Sequence, residues 1–193
     1  MKFRKIVALA LLSSLLMVYG CTNTNNGTNK DDITTSPDGT TTDIITTAEP
    51  KEEPKAPKSL KILAIGNSFS VDCMQYLYQI AISGGVETLV LGNVYYGGCS
   101  LAEHLSFATA DSPSYTYYKN TSGTWGSTTN YKMSTALLDE EWDIITLQQT
   151  SKTSGLEASY GNTLKSLVDY VKSKNSIATL VWNMTWAYQQ DST

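Results

Sequence analysis

The sequence predicts an α/β domain of three layers, a parallel sheet covered by helices on both faces, with an inserted β-hairpin. Three observations carry that expectation. Ile62 to Ile65 form an unbroken apolar run, as in a strand buried on both faces, and Asp143 to Gln148 repeat it. Between such runs the apolar positions change to helical spacing, first at Val71, Met74, Leu77, Tyr78 and Ala81, later at Tyr160, Leu164, Leu167, Val168 and Val171. Strands alternating with helices close into a parallel sheet, because each crossover helix must pack back on the sheet face.

The domain does not begin at Met1. Lys2, Arg4 and Lys5 precede an apolar run from Ile6 to Val18, which ends Val18-Tyr19-Gly20-Cys21. That order is the pattern of a secretory signal, and the run is short for a membrane span of about 20 residues. Cysteine directly after Gly20 resembles a bacterial lipobox, which implies cleavage before Cys21 and a diacylglycerol on its sulfur. An ordinary signal peptide with an incidental Cys21 is the alternative. Residues 1–20 are therefore expected to be a signal peptide. Residues 21–58, rich in Thr, Asn, Asp, Glu, Lys and Pro, bury too little apolar surface to offset chain entropy and read as a disordered tether. Residues 59–193 are the domain. The expected location is the bacterial cell envelope, outside the cytoplasm, with the membrane as partner through the lipid.

Taken in order, the first strand stops at Gly66 and a helix follows over about Val71 to Ser83, ended by Gly84-Gly85. Glu87 to Gly92 reads as the second strand, Asn93 to Ser100 as a glycine-containing loop, and Leu101 to Ala108 as a short helix. Tyr115–Lys119 and Thr124–Tyr131, separated by a turn at Asn120 to Gly123, read as the hairpin. Met133 to Glu141 is helical, Asp143 to Gln148 the third parallel strand, Gln149 to Leu156 a loop. A long amphipathic helix then leads to a fourth strand at Ile177 to Asn183.

Ser68 lies in the strand-to-helix turn after the first strand. A serine there is placed to be a nucleophile whose oxyanion backbone N–H groups can meet; equally, Ser68 or Ser70 could cap the helix. Ligands of parallel sheets bind beyond the carboxyl ends of the strands, and Ser68, the Tyr96–Ser100 loop and Gln148–Ser154 all fall at that edge. The formal net charge of −4 and the lack of a basic stripe argue against nucleic acid as a partner. One histidine and three cysteines leave no metal-ligand spacing, and no phosphate-binding glycine loop follows the first strand, so neither metal nor cofactor is expected. Cys73 and Cys99 are expected as buried free thiols, with a disulfide permitted outside the cytoplasm. Tyr95, Tyr96, Trp125, Trp182 and Trp186 could stack on sugar rings or simply pack. Asp139, Glu140 and Glu141 read as a solvated helix end.

Over Lys58 to Thr193 the pattern resembles the SGNH (GDSL-like) hydrolases, a flavodoxin-like fold, and in particular an uncharacterised branch whose first block reads Gly66-Asn67-Ser68-Phe69-Ser70. The resemblance implies Ser68 as nucleophile and its N–H as one oxyanion donor. It implies Gly98, in Gly97-Gly98-Cys99-Ser100, as the second, and Gln149 in place of the usual asparagine amide as the third. Asn67, Tyr96 and His104 are candidates for lining the substrate site. The family's histidine base follows its last strand, so the resemblance implies a further strand and a histidine beyond Thr193, in a longer gene product. His104 is expected to be partly exposed on its short helix. The expected activity is that of a serine esterase removing acyl, for example acetyl, groups from carbohydrate, with little turnover by these 193 residues alone. A non-catalytic glycan-binding surface lipoprotein is the other reading.

Overall fold

The computed structural model describes residues 55–185; the leader, Cys21, the tether before Lys55 and Trp186 lie outside the described residues. Six strands form one sheet: β1 Ser59–Gly66, β2 Thr88–Tyr95, β3 Tyr115–Asn120, β4 Trp125–Tyr131, β5 Ile144–Leu147 and β6 Thr179–Trp182, in the order β4-β3-β2-β1-β5-β6. β2, β1, β5 and β6 run parallel, whereas β3 and β4 are antiparallel to their neighbours. The sheet is therefore mixed, not purely parallel. Its hairpin is not an appendage but an extension of the sheet, because β2 runs on to Tyr95, past the expected end at Gly92, and offers a full edge to β3. Asn130, at φ 54, marks a one-residue irregularity where the β3–β4 register shifts. β6 is the edge strand among the described residues, and the expectation of a further parallel strand concerns residues beyond them.

Among the described residues the α-helices are α1 Ser68–Met74, α2 Leu77–Ser83, α3 Leu101–Thr109, α4 Met133–Leu138 and α5 Gly161–Lys174, with a 3-10 turn at Glu157–Ser159. The first expected helix is thus two helices. No side-chain cap marks the break at Tyr76, which is why the sequence carries no signal for it. Side chains alternate across each strand, so the two sheet faces carry different company. Ile62, Ala64, Leu91 and Asn93 lie on the α1–α2 side, where Ser70 of α1 bonds Asn93. Leu63, Ile65, Val94, Tyr117 and Ile145 lie on the other and pack with Leu101, Leu137, Trp142, Leu167 and Val171. Gly92 is needed in that layer: a Cβ there would stand 2.8 Å from Leu63 Cδ1 and from Trp142 Cη2.

Near the amino end of β1 Lys61 pairs with Glu140, and Lys119, at the carboxyl end of antiparallel β3, pairs with Asp139 and Glu140. The acidic run is therefore more than a solvated helix end. A depression of about 550 Å³ lined in part by Lys61, Asp139, Glu140 and Lys174 lies there, at the opposite end of β1 from Ser68.

Candidate functional site

β1 ends in a glycine because a side chain would collide: a Cβ on Gly66 would lie 2.6 Å from Gln148 Oε1 and 2.8 Å from Ser70 Cβ. The chain then turns into α1. The N-cap is Asn67, whose Oδ1 accepts from Phe69 N at 3.1 Å. Neither serine serves as the cap. Ser70 is buried, its Oγ 2.7 Å from Asn67 O and 2.9 Å from Asn93 Oδ1. Ser68 is exposed, and neither its hydroxyl nor its backbone N–H is bonded within the described residues.

The second corner follows β2. Tyr96 to Cys99 form a tight turn closed by Cys99 N donating to Tyr96 O at 3.2 Å, with Gly98 at φ +69. That positive φ suits glycine, and no atom stands within 4 Å of where a Cβ would be. Gly98 N–H is likewise unbonded within the described residues. Two bonds stitch this corner to the first: Tyr96 N to Gly66 O at 3.1 Å, and Asn67 Nδ2 to Cys99 O at 3.0 Å. Ser68 and the Gly98 turn are thus brought together at the carboxyl edge of the sheet. Tyr96, 38 % exposed, stands at the rim with its ring on Phe107.

Three of the expected site residues are placed otherwise. Gln149 is buried; its Oε1 accepts from Leu101 N and Thr150 N, and its Nε2 donates to Ser159 O and Oγ. Both amide hydrogens are occupied, so Gln149 clamps the start of α3 to the loop after β5 instead of offering a donor beside Ser68. Asn67 is 1 % exposed and its carboxamide bonds Phe69 N, Gln148 Nε2 and Cys99 O, so it is a buried brace and not the lining residue expected. His104 is 1 % exposed, stacked on Tyr115 with Nδ1 3.0 Å from the Tyr115 hydroxyl, and Nε2 has no partner among the described residues. Burial pushes its pKa down to about 4, against the smaller opposing pull of Glu103. It is neither partly exposed nor a lining residue, but a neutral imidazole in the core.

The residue that takes a place beside Asn67 is Gln148, donating to Asn67 Oδ1 at 2.6 Å and accepting from Asn183 Nδ2 at 3.0 Å. Strand alternation was the available signal: Gln148 continues the face of Gly66, whereas Gln149 points to the face of α3. Cys99 is buried, its thiol pushed up to about 12 by burial and by Glu103, while Cys73 is exposed; neither is bonded to the other. Trp182 packs on Tyr160 and is not a free platform. Tyr95 and Tyr118, by contrast, are half-buried and meet edge to face at 5.8 Å on the sheet face that also carries Thr116 and Trp125. Among the described residues no three His, Cys, Asp or Glu side chains stand together to hold a metal.

Residues 61–193 match the family described as "Domain of unknown function (DUF4886)". The chain is similar to a solved DUF4886 family protein from Bacteroides uniformis ATCC 8492, with 38% sequence identity and a TM-score of 0.65 over 69% of this chain and 52% of that one. It spans about half the length of that relative. None of the curated proteins matches it. By its match over residues 61–193, the chain belongs to the DUF4886 family.

Proposed function

We propose that this DUF4886 member is an SGNH-type serine esterase at the outer side of the bacterial envelope, held by a lipid on Cys21 and removing acyl groups from carbohydrate. The observation that carries the reading is the pairing of the exposed Ser68 hydroxyl with two unbonded backbone N–H groups, its own and that of Gly98, on corners stitched together by the Tyr96–Gly66 and Asn67–Cys99 bonds. In acyl transfer Ser68 Oγ attacks the ester carbonyl and the negative charge gathers on the former carbonyl oxygen. Backbone N–H donors aimed at that oxygen stabilise the tetrahedral state, each contributing on the order of 3 kcal/mol in known cases. The alcohol leaves with a proton, and water releases the acyl group from Ser68. Ser68 gives its own proton to a base, which cannot be His104, buried and neutral in the core. The proposal places that base outside the described residues.

The test is labelling with a fluorophosphonate probe, on protein isolated from its host so that the whole native product is present. Modification should map to Ser68 alone and vanish in Ser68→Ala. Because Ser68 is exposed and Asn67 is the cap, that variant should unfold at an unchanged temperature. An unmodified Ser68 in folded protein overturns the reading.

The Tyr95–Tyr118 pair favours a second reading, a glycan-binding protein without catalysis. Its aromatic rings and neighbouring Thr116 offer stacking and hydroxyl bonding to a sugar face. Glycan binding that survives Ser68→Ala and is lost in Tyr118→Ala, with no esterase activity in the parent protein, selects it.

A further inference from the structure

We propose that Asn67, Gln148 and Asn183 form one directional chain of carboxamides that holds the Ser68 turn against the Gly98 turn, making Gln148 a positioning residue of a site it does not line. The inference rests on reading Ser68 as the nucleophile.

The direction of the chain is set by backbone groups. Phe69 N–H can only donate, so the Asn67 oxygen must face it, and the Asn67 nitrogen then faces Cys99 O, which can only accept. The same Asn67 oxygen takes a second bond from Gln148 Nε2 at 2.6 Å. Gln148 must then present its oxygen to Asn183 Nδ2 at 3.0 Å, and Asn183 its oxygen to the Cys73 thiol at 3.4 Å. Flipping any one amide would set two donors or two acceptors against each other. An aspartate at 67 could not donate to Cys99 O, which gives the amide at this position its physical reason.

The chain runs beyond the carboxyl ends of β6, β5 and β1 to the loop after β2, so it ties together all four parallel strands of the sheet. Its middle is buried: Asn67 and Gln148 are each 1 % exposed. In such surroundings a mismatched pair cannot turn to water, and the mismatch is relieved only by moving a turn. Gly66 keeps the space that Gln148 fills.

Gln148→Glu tests this. The ionised carboxylate keeps the size but sets an acceptor against Asn67 Oδ1, whereas the protonated acid restores a donor. The rate of Ser68 labelling, taken as a ratio to the parent protein so that the base's own titration cancels, should fall about tenfold or more at about pH 8 and recover to within about threefold at about pH 5. A ratio independent of pH overturns the proposal, since a clamp of stability alone gives no such profile. An activity-free arm separates this from failure of the nucleophile reading. At alkaline pH the Phe69 and Cys99 amides of Gln148→Glu should both exchange hydrogen about tenfold faster than in the parent. Gln148 bonds neither of them, so faster exchange at Phe69 with parental exchange at Cys99 shows that the coupling stops at Asn67 and refutes the chain. If the parent does not label, the exchange result still decides. Should Gln148→Glu not fold, Asn183→Asp, at the half-buried end of the chain, sets the same mismatch against Gln148 Oε1 and is read in the same way.

Discussion

His104 makes the pH range between 7 and 5 a measurement of one side chain. It is the single histidine of the chain, 1 % exposed, with a neutral folded form favoured by burial. In the unfolded chain the imidazole takes up its proton near pH 6.5; in the folded protein it does so only near about 4. The unfolded state therefore binds more protons between those values, and stability falls as pH drops through them. The gap sets a ceiling of about 3 kcal/mol, reached below the folded value. Between about pH 7 and pH 5 the loss should be about 2 kcal/mol, because the unfolded imidazole is then mostly charged while the folded one remains neutral. Urea unfolding at half-unit pH steps measures it directly. His104→Gln keeps a group able to bond the Tyr115 hydroxyl but cannot take up a proton. It should be less stable at pH 7 and flat from 7 to 5. If the parent protein is equally stable at both pH values, or the variant retains the parent's slope, the burial argument is wrong. A steep slope in the parent would also bear on catalysis, since a histidine held neutral inside the core cannot shuttle the Ser68 proton.

Two glycines should both cost stability when replaced, but for different reasons and to different degrees. Gly92→Ala should lower stability by about 1–3 kcal/mol through overpacking against Leu63 and Trp142, whereas Gly98→Ala, with no atom near the added carbon, should cost about 1 kcal/mol, from its positive φ alone; thermal unfolding of both variants checks the order. Gln149→Ala should destabilise by about 2–3 kcal/mol, because buried Leu101 loses the partner of its N–H and Ser159 loses two donors. In Gln149→Ala the Ser68 labelling rate of the folded fraction should stay within a few-fold of the parent; a loss as large as that of an oxyanion donor, on the order of a hundredfold or more, would restore Gln149 to that role.

Local chemistry alone determined a good deal about this protein. The apolar run Ile62 to Ile65 reads as a strand covered on both faces and the change of period after it as a helix, so the turn holding Ser68 was legible in the sequence. Gly97-Gly98 likewise announced a loop after the second strand, although its bend through positive φ at Gly98 is a feature of the folded turn. The sequence offered Ser68 or Ser70 as the cap of α1; the structure gives that place to Asn67 instead, with Ser70 packed against Asn93 and Ser68 left exposed.

Other features depended on residues far apart in the chain. The hairpin joined the sheet because β2 ran three residues further than its apolar pattern, carrying Asn93 and Tyr95 into pairing with Tyr118 and Thr116. His104 sits on a helix whose neighbours in sequence say nothing of burial; Tyr115, eleven residues on, covers it. Most telling are Gln148 and Gln149, two identical side chains in succession. Composition cannot distinguish them, but the pleat sends them to opposite faces of the sheet, one to Asn67 and one to Leu101. Alternation along the strand separates the two glutamines, but that the face of Gln148 is the one that meets Asn67 follows from the register of β5 beside β1, a property of the assembled sheet.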